Sequence, residues 1–203
     1  MSNPRPLEEE AYDMSGARLA LTLCVTKARE GSEADLDALE RMFQQLGFES
    51  TMKRDPTAQQ FQEELEKFQQ AMDAREDLVS CAFVVLMAHG VEGRLKGEDE
   101  QMVELESLFQ VLNNKNCQAL KARPKVYIVQ ACRGGYIAYR HDKEGSCFIQ
   151  TLVDVFTERR GPILELLTEV TRRMAEAELV QEGRTRKVNP EIQSTLRKRL
   201  YLQ

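Results

Sequence analysis

Lys125-Val126-Tyr127-Ile128-Val129-Gln130-Ala131-Cys132-Arg133-Gly134 decides how this chain of 203 residues is read. After Pro124, a β-branched apolar run stops abruptly at a cysteine set between small residues and an arginine. That is the pattern of a buried strand delivering a thiol to the rim of a sheet. By residue type alone, a cysteine in such a place is an inert core side chain. The counter-signal is His89, which lies 132 − 89 = 43 positions upstream and closes a second apolar run, Cys81 to Ala88.

Working outward, the runs at 18–25 and 81–88 are apolar throughout, as strands buried on both faces are, and helical periods separate them. Leu36, Leu39, Met42, Phe43 and Leu46 mark one helix, stopped by Gly47; a short strand is expected at 48–52. Phe61, Leu65, Phe68 and Met72 mark the next helix, opened by Thr57 and Gln60 at capping-box spacing. A hairpin is expected over 90–103 and a short helix over 104–112. Two helices follow at 146–159 and from Pro162 to about 180, then a polar linker over 181–190 and a closing edge strand over 193–202. Strands alternating with helices imply an α/β fold with a mostly parallel central sheet flanked by helices. We divide the single domain into a polar leader over 1–15, a region over 16–134 and a region over 135–203.

Composition excludes several roles. A net charge of −5 and a sequence pI near 5.3 argue against nucleic acid or anionic membrane as the partner. The basic clusters Arg184-Thr185-Arg186-Lys187 and Arg197-Lys198-Arg199 read as solvated edges. Five cysteines without a C-x-x-C pair, and no apolar run long enough to span a bilayer, are the usage of a reducing compartment. Cytoplasm, with diffusion into the nucleus, is the expected location. The glycine-bearing loop 90–97 does not fit the phosphate-binding pattern, so no nucleotide is expected there.

Functional groups of an open parallel sheet gather beyond the carboxyl ends of its strands. The first long strand leads to Arg29, the third to His89-Gly90 and the fourth to Gln130 and Cys132. A thiol needs an imidazole to take its proton at neutral pH, and His89 is the candidate; His141, beside Asp142 in a charged turn, is the alternative. Backbone N–H groups at Gly90 and Cys132 can meet an oxyanion, and Gly90 lacks a Cβ that would bar close approach. Guanidinium forks at Arg29 and Arg140, with the amide of Gln130, suit a carboxylate. A surface salt bridge is the alternative for Arg29.

These residues resemble the caspase family. Arg29-Glu30-Gly31 before a helix, Ala88-His89-Gly90, Gln130-Ala131-Cys132-Arg133-Gly134 and Tyr136-Ile137-Ala138-Tyr139-Arg140 occur in the family's order. The pentapeptide around the cysteine is specific, with a histidine roughly 50 residues upstream. The resemblance implies a three-layer sandwich and a cysteine endopeptidase cleaving proteins after aspartate. It implies His89 and Cys132 as the dyad, and Arg29, Gln130, Ala138 and Arg140 along the substrate. No metal or cofactor is implied; a homodimer, or a heterodimer with a full-length caspase, is. The epidermal branch of the family is the nearest, which implies keratinocyte terminal differentiation, and the short leader implies no adaptor-binding segment. One departure stands out: Gly134 runs directly into Gly135-Tyr136, where the family carries an intersubunit linker and a further core strand. That gap leads us to expect a shortened form of reduced activity, with its last third loosely docked.

Overall fold

The computed structural model describes residues 11–131, 145–177 and 190–203, with the backbone of 140–141, 179–181 and 184–186. In chain order the elements are β1 (Ala17–Cys24), α1 (Ser32–Gln45), β2 (Glu49–Arg54), α2 (Ala58–Asp73), β3 (Val79–Met87), β4 (Gly90–Val91), β5 (Arg94–Lys96), β6 (Met102–Glu104), α3 (Leu105–Val111) and β7 (Lys125–Gln130). They continue with β8 (Arg140–His141), β9 (Gly145–Ser146), α4 (Cys147–Glu158), α5 (Ile163–Glu176), β10 (Leu179–Gln181) and β11 (Arg184–Arg186).

The central sheet has the order β2-β1-β3-β7, and each of its pairings is parallel. Parallel neighbours require covered faces, because a helix must carry the chain back between strands. The period-2 alternation of β1 and β3 divides the core accordingly. Ala20, Cys24, Cys81, Phe83, Val85 and Met87 face α1, α4 and α5. Leu19, Leu21, Leu23, Val84 and Leu86 face α2 and α3. The result is the three-layer sandwich that the sequence predicts. Thr57 caps α2 through the Gln60 N–H, and the Gln60 side chain returns to the Thr57 N–H, completing the capping box.

The last third departs from the sequence reading in two places. Residues 179–181 and 184–186 form an antiparallel hairpin where the end of a helix and a linker were expected. The segment 193–202 is not an edge strand of the central sheet; its pairings are single bridges, Ala11 to Arg199 and Pro162 to Tyr201. Leu200 and Leu202 are buried, so this tail closes the α1 layer instead. The described helices of the region pack against the core. Ile149, Leu152, Val155, Phe156, Ile163, Leu166, Val170 and Met174 belong to the same buried cluster as Leu39 and Phe43. The surface that α4 needs is supplied by α1, so its packing does not depend on a further strand beside β7. Cys132 and residues 136–139 of the family motif Tyr136-Ile137-Ala138-Tyr139-Arg140 lie outside the described residues.

Candidate active site

The site is built on one row of the sheet. Cys24 pairs with Met87, and Met87 pairs with Gln130, so three adjacent strands end at the same level. Beyond that row, Val25 N–H donates to Met87 O at 2.8 Å and Ala88 N–H to Gln130 O at 3.2 Å. His89 therefore leaves β3 two residues past the row. Cys132, although outside the described residues, follows Gln130 by the same two positions in the chain. Strands in a sheet run roughly 4.8 Å apart, so the described ends of β3 and β7, at Met87 and Gln130, are neighbours. Consistent with that, a Cβ built on Gly90 would come 3.3 Å from the Ala131 Cβ.

Gly90 also has a local reason to be glycine. The same Cβ would sit 2.5 Å from Arg94 O, so a side chain would break the β4–β5 turn. Close approach here is made by the hairpin's own backbone, a constraint the sequence reading did not contain.

The His89 ring is held by its Nε2, 2.9 Å from Ala28 O. A carbonyl only accepts, so Nε2 carries the proton in this contact, and in the neutral ring the basic lone pair lies on Nδ1. Ala28 presents that carbonyl from a left-handed conformation, φ 52°. For a residue with a Cβ this costs on the order of 1 kcal/mol, a strain that clusters at functional sites. Nothing in the residue type of Ala28 announces such a role.

Arg29 is not a surface residue. It is 1% exposed. Its Nη1 donates to Val25 O at 3.2 Å and lies 3.5 Å from Cys24 Sγ, and its Nη2 donates to Gln130 Oε1 at 3.1 Å. The surface salt-bridge alternative is thereby excluded, and Arg29 and Gln130 meet in the core. The loop holding Arg29 is closed by Ser32 Oγ on Arg29 O at 2.6 Å and by Arg29 N–H on Thr26 O at 3.0 Å. A guanidinium this far from water attracts an anion strongly.

Two of the other thiols, Cys24 and Cys81, do not compete as nucleophiles. Burial pushes Cys24 up to about 11, against the opposing pull of Arg29, and pushes Cys81 up to about 12. Both are therefore protonated at neutral pH and inert. Arg140 contributes its backbone to the description, pairing with Ser146 in the β8–β9 hairpin, and His141 pairs with Gly145. Ala138 lies outside the described residues.

Sequence reasoning missed Asp35. It is fully buried, and its Oδ1 accepts from Ser146 N–H at 2.9 Å and Gln150 Nε2 at 3.1 Å. Burial raises its pKa above the ordinary 3.8, against the lowering effects of those bonds and of the Arg29 charge. A signal was present: Asp35, Leu39, Met42 and Leu46 follow helical spacing, so an acid sits on the apolar stripe of α1.

A parallel α/β sheet with a tethered imidazole and a buried arginine beyond its strand ends, in a chain whose sequence continues from β7 as Gln-Ala-Cys-Arg-Gly, has the make-up of a thiol peptidase. The Caspase domain family matches residues 17–136 and 134–201, and the chain belongs to the caspase family of cysteine-type endopeptidases. It is 72% identical to human Caspase-14 over 242 aligned positions, covering 100% of both chains. To mouse Caspase-14 it is 59% identical over 253 positions, covering 100% of this chain and 98% of that protein. A more distant relative, chicken Caspase-2, is 28% identical over 86% of this chain and 54% of that protein.

Proposed function

We propose that the chain is an aspartate-directed cysteine endopeptidase in which His89 and Cys132 are the dyad. In this reading, Ala28 O on Nε2 orients the ring so that Nδ1 takes the thiol proton. The thiolate attacks the peptide carbonyl, and the N–H groups of Gly90 and Cys132 meet the oxyanion. The substrate aspartate enters a pocket floored by Arg29 and Gln130, with Arg140 as the second fork; Ala138 pairs its backbone with the substrate. The observation that carries the reading is Arg29, buried against Gln130 at the end of the sheet row beyond which the chain runs on to His89. The same proposal includes a role in keratinocyte terminal differentiation, in the cytoplasm and nucleus, which rests on the resemblance to the epidermal branch of the family alone. The test is hydrolysis of peptides differing only in Asp or Asn before the scissile bond. Cleavage confined to the Asp peptide is expected, and equal cleavage of both would overturn the assignment.

A second reading has its own observation. The two family matches meet at residues 134–136. The human alignment spans 242 positions against 203 residues here, leaving 242 − 203 = 39 positions without a residue of this chain. In that reading the chain is a shortened variant of impaired turnover that pairs with full-length caspase and lowers its activity. Titrating human Caspase-14 with the chain distinguishes the two: undiminished activity of the mixture argues against the second reading.

A further inference from the structure

We infer that Asp35 is a positioning residue for aspartate recognition, holding the two arginine-bearing segments of the pocket at a fixed separation through its Oδ1. The inference rests on the Asp-pocket reading above and adds to it a residue that touches neither substrate nor dyad. Asp35 lies in the first turn of α1, the helix that starts three residues after Arg29. The buried side chain of Arg29 is near enough for its charge to act on the Asp35 carboxyl. On the other side, Oδ1 accepts from Ser146 N–H, and Ser146 is the backbone partner of Arg140 in the β8–β9 hairpin. One carboxylate thus joins the segment of Arg29 to the hairpin of Arg140, residues 140 − 29 = 111 positions apart in the chain.

The packing around this oxygen is close on every described side. Gln150 Nε2, from the first turn of α4, reaches both Asp35 Oδ1 at 3.1 Å and Ala34 O at 3.4 Å. Gly145 adopts φ +87°, and a Cβ there would lie 2.3 Å from Asp35 Oδ1. Glycine at 145 is what lets the hairpin backbone come down onto the acid. Ser146 is fully buried, and its hydroxyl accepts from Ile149 N–H, so the residue that meets Asp35 also caps α4. Among the described residues, no donor reaches Asp35 Oδ2. A buried carboxyl with one oxygen unserved adds little to stability relative to an apolar residue of similar size. Its value lies in the geometry that the other oxygen fixes.

The role is assigned to the acceptor oxygen and not to the charge, so Asp35→Asn preserves it while Asp35→Ala removes it. The assay is inactivation of the full chain by a peptide ketone ending in Asp, followed as KI and kinact from intact mass. Alkylation of Cys132 by iodoacetamide, read by peptide mass, serves as the control. Asp35→Ala is expected to raise KI about tenfold, the scale of losing one buried hydrogen-bond partner. Both kinact and the iodoacetamide rate should stay within about twofold. Asp35→Asn should return KI to near the wild-type value. Should Asp35→Ala fail to fold, Gly145→Ala carries the test, because its Cβ displaces the carboxylate; KI should rise in the same direction. An unchanged KI in the variant that folds, or an Asn variant as weak as the Ala variant, overturns the role of Asp35 alone. Absence of saturable labelling in the wild type overturns the Asp-pocket reading itself.

Discussion

Replacing Arg29 with Met tests the pocket floor without opening a large cavity, because the two side chains are comparably long and the change removes chiefly the guanidinium. Arg29 is 1% exposed, and truncation strips a donor from Gln130 Oε1 at 3.1 Å and Val25 O at 3.2 Å. Hydrogen bonds from a charged donor contribute about 1.5–3 kcal/mol each, and acceptors left in the core keep their desolvation cost. Removing the cation also leaves the buried Asp35 without the charge that opposes its own desolvation. Breaking one side of such an arrangement costs about 3–5 kcal/mol, whereas replacing all partners together by apolar groups is often neutral. We therefore expect Arg29→Met to lose about 3–5 kcal/mol in urea unfolding followed by far-UV circular dichroism, with an unchanged slope. In a chain of this size the same loss lowers Tm by roughly 10 °C. A loss below about 1 kcal/mol would refute the buried network as described.

Cys132→Ala and His89→Ala should each abolish nearly all peptide turnover, with the double variant little worse than either, measured as kcat/KM. Thr57→Ala removes the capping box of α2 and should cost about 1 kcal/mol in the same urea titration. Asp35 is raised above its ordinary value in the fold, so the folded chain binds the proton more tightly than the unfolded one. Its ionisation thus weakens the fold as pH rises from the ordinary carboxylate range through the raised value, and the penalty is complete above it. Across that window, stability should fall with rising pH more steeply in the wild type than in Asp35→Asn. Hydrogen exchange should give residues 147–176 protection comparable to β3, because α4 and α5 share one buried cluster with α1. Exchange there as fast as in exposed loops would support the expectation of loose docking.

The core strands were legible because burial on both faces forces a continuous apolar run. The dyad candidates were legible because reactive residue types end such runs at Ala88 and Ala131. Arg29 is charged, and charge in a sequence says surface by default; only its position after a strand pointed elsewhere. Ala28 was not legible at all, since its contribution is a carbonyl aimed by a left-handed φ that alanine does not advertise. The tail at 193–202 was expected as an edge strand, and it does bury Leu200 and Leu202. Periodicity reports which side of a segment is buried, and not whether its backbone finds a sheet edge or, as here, single bridges to Pro162 and Ala11.

The most direct measurement is active-site labelling of the whole chain with a peptide fluoromethyl ketone ending in Asp, set against its Asn counterpart and mapped by peptide mass. One adduct on Cys132, saturable, selective for Asp and lost in His89→Ala, is the predicted result. Equal reaction of the two probes, or an adduct on Cys147 instead of Cys132, would contradict an Asp pocket built on Arg29 beside a thiol activated by His89.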